Sequence, residues 1–171
     1  MVIDNTVEYD EIWDKVYKQL HFKPSCGYRG HSLTVELPFE IEFPHVVYAI
    51  EQMNDIELEI MGECIRNCMV QCSESSKWYA LDWQHSAFKF DPRNKEEMRS
   101  TTVENEGIIG GEYTAFFPDF YPDGDYYFFI DEAFSNGYLG HPWRQEVWIF
   151  GEKLIEEIGK IADKLGWKII Q

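Results

Sequence analysis

Apolar residues recur along this chain at two different spacings, and the changes between them mark out its elements. In residues 6–20 (TVEYDEIWDKVYKQL), Val7, Ile12, Trp13, Val16, Tyr17 and Leu20 fall at helical spacing. Thr6 stands at the N-cap position, and Glu8, Asp10 and Glu11 sit where the helix dipole favours negative charge. The loop HFKPSCGYRGHS follows, its Pro24 and Gly27 ending the helix. Residues 32–42 (SLTVELPFEIE) alternate as an edge strand broken by Pro38, and HVVYAI (45–50) reads as a second strand. Asn54 then caps a helix that runs to about Cys72, with Leu58, Met61, Ile65, Cys68, Met69 and Cys72 as its buried stripe.

KWYALDWQHSAFKFD (77–91) supplies a strand or a hairpin, with Tyr79, Leu81 and Trp83 on one face and Trp78, Ala80, Asp82 and Gln84 on the other. From Pro92 to Gly111 the chain turns polar and reads as a long loop, and FFPDFY (116–121) as an irregular aromatic segment. The organising block is 122–150. Its runs Tyr126–Ile130 and Val147–Phe150 are apolar on both faces, which places them at the centre of a sheet. Pro122, Asp123 and Gly124 form the turn that leads in, and a Gly-rich aromatic connection joins the two runs. Gly151–Leu165 is a helix with Leu154, Ile155, Ile158, Ile161, Ala162 and Leu165 on one broad face, followed by a short strand at 167–170.

Strands in blocks joined by short turns predict an α+β fold, not a doubly wound parallel one. The expectation is a single domain over 1–171, a mainly antiparallel sheet with helices packed on one face. No repeat or linker divides the chain.

Composition narrows the function. With 44% hydrophobic and 16% aromatic residues the chain is not disordered, and its net charge of −16 repels nucleic acid and anionic membranes while attracting basic partners. No apolar run reaches the ~18 residues needed to span a bilayer, and no segment resembles a signal peptide. Of the four cysteines, Cys64, Cys68 and Cys72 stack on one helical face as core residues and Cys26 lies apart, so a reduced, cytoplasmic protein is expected.

One polar constellation could carry chemistry. Asp82, His85, Asp123, Asp125 and His141 come from adjoining segments and could meet at one end of the sheet as a general acid and base. No HExxH, HxH or CxxC spacing fixes a metal, so no metal and no cofactor are assigned. Turn aspartates outnumber catalytic ones, which weighs against a catalytic reading. Trp83, Tyr121, Tyr138, Trp143 and Arg144 would line an aromatic-rimmed binding cleft, with Tyr121, Tyr138 and Trp143 expected on loops. Acid also crowds both early helices (Glu8, Asp10, Glu11, Asp14; Asp55, Glu57, Glu59, Glu63), as a surface that steers a basic partner would.

The segments YDEIWDKVYKQLHFKPS (9–25), YALDWQH (79–85), PDGDYYFF (122–129) and GYLGHPWRQEVWIFGEKLI (137–155) together resemble the bacterial family of unknown function labelled DUF2716. The resemblance implies no particular activity or cofactor. Its motifs fall on Trp83, His85, Pro122, Gly124, Asp125, Gly140, Pro142, Trp143 and Gly151, a turn-and-core framework that leaves His85 and Asp125 as the polar positions to test.

The first reading is a small acidic cytosolic binding protein that engages a basic protein, as an immunity-type inhibitor of a toxin or nuclease would. The alternative is a hydrolase or nucleotide-acting enzyme using the Asp/His set. A sensor that binds a small ligand in the same cleft without turnover is a third.

Overall fold

A computed structural model of the chain describes residues 1–24, 38–73, 77–104 and 111–171. In chain order the elements are α1 (Thr6–Gln19), β1 (His45–Ala49), α2 (Asp55–Cys72), β2 (Trp78–Asp82), β3 (Ala87–Phe90), β4 (Thr101–Glu104), β5 (Glu112–Ala115), β6 (Tyr127–Asp131), β7 (Gly137–His141), β8 (Glu146–Phe150), α3 (Glu152–Ala162) and β9 (Lys168–Ile169). Seven strands form one sheet in the order β3-β2-β6-β7-β8-β1-β9, with every pairing antiparallel, and β4 and β5 make a separate hairpin. The α+β class and the central position of the two apolar runs are as expected.

Between those runs the structure places a strand where the sequence suggested only a connection. Gly137–His141 is the middle strand of the sheet and wholly buried. Two glycines in five residues hide it from a propensity reading. Gly140 is needed there for space, because a Cβ on it would lie 2.9 Å from the Cβ of Pro122. The expected loop from Pro92 to Gly111 also holds more structure: a 3₁₀ turn at Lys95–Glu97 and strand β4, which pairs with β5 just beyond it. The strand expected at 32–42 falls partly outside the described residues, and 38–42 is irregular.

Strands β6, β7 and β8 bury both faces, so both must be covered. Phe129, Tyr138, Val147 and Ile149 pack under α2 and α3 with Met61, Ile65, Leu154 and Ile158. Phe128, Ile130, Leu139 and Trp148 face the other way, onto Ile12, Trp13, Val16 and Leu20 of the α1 segment and onto Phe22 and Phe39. Two helices therefore share a face, as expected, and α1 takes the opposite one because the strands leave an apolar surface there too.

Caps define the ends of the helices. Asn5, not Thr6, caps α1, its side chain accepting from Val7 and Glu8 N–H, and Val7 stays exposed. Asn54 and Glu57 close a reciprocal capping box on α2. At the start of α3, Gly151 holds φ at +92°, and a Cβ there would run into Asn136 and the carbonyl of Ser135. That turn is already fixed by buried Asp131, which accepts from the Ser135 and Asn136 N–H groups and from the Asn136 amide.

Gly151→Ala should therefore cost about 2–4 kcal/mol through combined strain and overpacking. A urea unfolding curve displaced to lower midpoint with unchanged slope is the expected result. An unshifted midpoint would show that the turn can relax.

Candidate functional site

The end of the sheet where β2 meets β6 is its polar corner. Asp82, last in β2, is paired with Tyr127, first in β6, and Asp125 lies two residues before Tyr127 on the same side. The β2–β3 turn then carries His85 over this corner. Its backbone is closed by hydrogen bonds from His85 N–H to Asp82 C=O and from Asp82 N–H to Ser86 C=O. Gln84 takes a left-handed φ of +66° within that turn.

His85 Nδ1 lies 3.2 Å from Asp82 Oδ1 and 3.4 Å from Asp125 Oδ2. One ligand atom from each of these three residues falls within 4.8 Å of the others. With its proton on Nδ1, the imidazole donates to this carboxylate pair, and Nε2 keeps its lone pair. Asp125 Oδ1 in turn accepts from the Tyr126 N–H at 2.7 Å. The side chains of Asp82 and Asp125 are 14% and 22% exposed, against 62% for His85, so the carboxylates are set back and the imidazole faces outward.

Burial raises the pKa of Asp82, opposed by its hydrogen bond to His85, with the nearby Asp125 charge adding to the rise. Burial likewise raises Asp125 and Asp119. Tyr127 is pushed up to about 12, first by burial and then by Asp82, Asp119, Asp125 and Asp123.

Asp82 and His85 line a cleft of about 770 Å³. The N-terminal segment forms one wall: Val2 bridges to Phe88, Ile3 N–H donates to Ala87 C=O, and Thr6 and Tyr9 follow at the start of α1. Tyr113, Thr114 and Phe116 of the β5 segment form another wall, and Tyr127 lines the cleft beside Asp82. These wall residues were not identified from the sequence. Tyr9 falls outside the apolar stripe read for α1, and Tyr113 lies between the segments read as a long loop and as an irregular aromatic stretch. No local signal placed either beside Asp82.

Of the predicted set, then, Asp82, His85 and Asp125 come together. Asp123 contributes its carbonyl, which accepts from Tyr127 OH at 2.9 Å. His141 does not join them. It closes β7 on the opposite face of the sheet, paired across the strands with Glu146 and packed against Tyr126 and Trp143. The predicted binding residues are also dispersed. Trp83 is buried and donates to Tyr17 OH at 3.1 Å. Tyr138 is fully buried in β7 rather than on a loop, and donates to the Phe120 carbonyl at 2.7 Å. Tyr121 OH accepts from Gln145, Arg144 is held by Glu146 at 2.9 Å, and Trp143 stacks edge-on against Tyr126. None of these five lines the cleft. Cys68 and Cys72 are buried core thiols with pKa values pushed up by burial to about 12 and about 11. Cys26 lies outside the described residues.

Residues 5–155 match the model of the family described as "Protein of unknown function (DUF2716)". The chain is also 28% identical over 153 residues to "Uncharacterized protein YxiI" of Bacillus subtilis (strain 168), covering 87% of this chain and 86% of that protein. No solved structure matches it. The chain belongs to the DUF2716 family.

His141 has a separate consequence. Burial, and then the Arg144 charge, lower its pKa from 6.5 to about 4. The folded protein thus holds it neutral where the unfolded chain takes up a proton. Its share of stability is complete above pH 6.5 and is lost as pH falls towards 4, by about 3 kcal/mol at about 1.4 kcal/mol per unit. Unfolding free energy measured across this window should fall more steeply in the wild type than in His141→Gln. Parallel profiles would mean that His141 is protonated in the folded state.

Proposed function

We propose that this DUF2716 protein carries out acid–base chemistry on a small molecule held in the cleft, hydrolysis by an activated water being the simplest case. The observation that supports it is His85 Nδ1 set between the Asp82 and Asp125 carboxylates at a cleft wall. A carboxylate that holds the Nδ1 proton fixes the imidazole's tautomer and supports the charge that develops when Nε2 takes a proton. Here two carboxylates converge on one ring nitrogen. His85 is the acid–base group, and Asp82 and Asp125 position it.

A basic protein partner docking on a shared acidic helical surface has less support. The acid-rich helices α1 and α2 pack on opposite faces of the sheet, so their carboxylates do not form one field. A nucleotide is likewise disfavoured in the cleft, because its described lining residues include no Lys or Arg to receive phosphate. A cytoplasmic setting fits this reading, since Cys64, Cys68 and Cys72 are free thiols.

The test is a panel of small esters, amides and related hydrolysable compounds assayed with the wild type, His85→Ala and Asp125→Asn. Loss of His85 should lower turnover by about 10²–10⁴-fold. Because that side chain is 62% exposed, the melting temperature should stay within about 2 °C. Turnover indifferent to His85, or absent across the panel, would contradict the reading.

A further inference from the structure

Building on the acid–base cleft just described, we infer that its ligand is an organic cation: an ammonium or guanidinium group carried on an apolar or aromatic body. The geometry of the walls supports this. Asp4 and Asp82 line the cleft, Asp125 lies behind His85, and no Lys or Arg is among the described lining residues. Three other clefts on the molecule differ in this respect. They include Lys164, or Lys77 and Lys89, or Arg66 and Lys95.

The counter-ion supply differs in the same way. Glu63, Glu97 and Glu132 elsewhere on the surface are each neutralised by a lysine. Among the described ion pairs Asp82 and Asp125 have no lysine or arginine and share only the His85 imidazole. A cation entering the cleft would supply the positive charge that these set-back carboxylates otherwise lack. Burial raises the pKa of both carboxylates and of Tyr127, and neighbouring carboxylates add to the rise at Asp82 and Tyr127.

The remaining walls suit the body of such a ligand. Tyr9, Tyr113, Phe116 and Tyr127 present aromatic rings around the acidic corner, and such rings attract ammonium and guanidinium groups through their π faces. The net charge of −16 reinforces this by concentrating cations near a low-dielectric cleft.

The experiment is a titration of the full-length protein, followed by NMR shifts, with three probes of one shape: phenylethylamine, 2-phenylethanol and phenylacetate. Phenylethylamine should bind at least about tenfold more tightly than the neutral alcohol, and phenylacetate most weakly, with the ranking compressed by salt. In Asp82→Asn/Asp125→Asn the preference for the amine should fall to about twofold or less while the alcohol binds as before. His85→Ala should keep the preference.

Equal binding of amine and alcohol to the wild type, or no shift with any probe, would overturn the inference. So would displacement of the amine by micromolar Mn²⁺ or Zn²⁺ with shifts centred on Asp82, His85 and Asp125, which would make the corner a metal site. The two proposals fail separately: His85-dependent turnover of neutral substrates without amine preference rejects only the cation, and amine preference without turnover rejects only the catalysis.

Discussion

Three adjacent strands that are apolar on both faces impose the constraint on which the rest of this structure depends. In β6, β7 and β8 the side chains alternate between two cores, and neither face can be left to water. At about 1.5–3 kcal/mol for each large apolar side chain buried, exposing either face would cost more than a domain of this size has to spare. The three helices follow from that. Helices α2 and α3 pair with one another over the first face, and α1 closes the second with help from Phe22 and Phe39.

Polar residues are consequently driven to the strand ends, and at the end shared by Asp82 and His141 the two faces of the sheet meet different fates. Where β7 passes to β8, His141 and Glu146 are drawn into the second core and become part of its packing. Where β2 meets β6, the N-terminal segment running along β3 and the β5 segment wall a cleft against Asp82 and His85. Similar residues thus become structural on one face of the sheet and accessible at the corner of the other. Desolvation without full burial keeps the carboxylates reactive to charge: they are withdrawn enough to have raised pKa values and open enough to be reached.

Much of this was legible in the sequence. The buried runs at 126–130 and 147–150, the Asn54 cap and the α3 stripe all rest on strong local signals, and each is where the pattern puts it. His85 and Asp125 were also readable as a pair worth testing, since both sit beside turn residues in polar gaps of otherwise apolar segments. What failed was everything decided by distant contact. Tyr138 reads as a loop residue because glycines flank it, yet pairing with β6 and β8 makes its strand the middle of the sheet. His141 reads like His85, and only the parity of β7 assigns it to the other face. The cleft walls join Tyr9 to Tyr113 across a hundred residues of chain, a proximity that no period or motif encodes.

The most direct measurement of the central claim concerns the His85 ring itself, because the whole site follows from two strands delivering two carboxylates to one nitrogen. Nitrogen-15 shifts of the His85 side chain in the neutral form should show the proton on Nδ1 and a bare Nε2, with that preference lost in Asp82→Asn/Asp125→Asn. A wild-type ring carrying its proton on Nε2, or one unaffected by the two substitutions, would contradict the account.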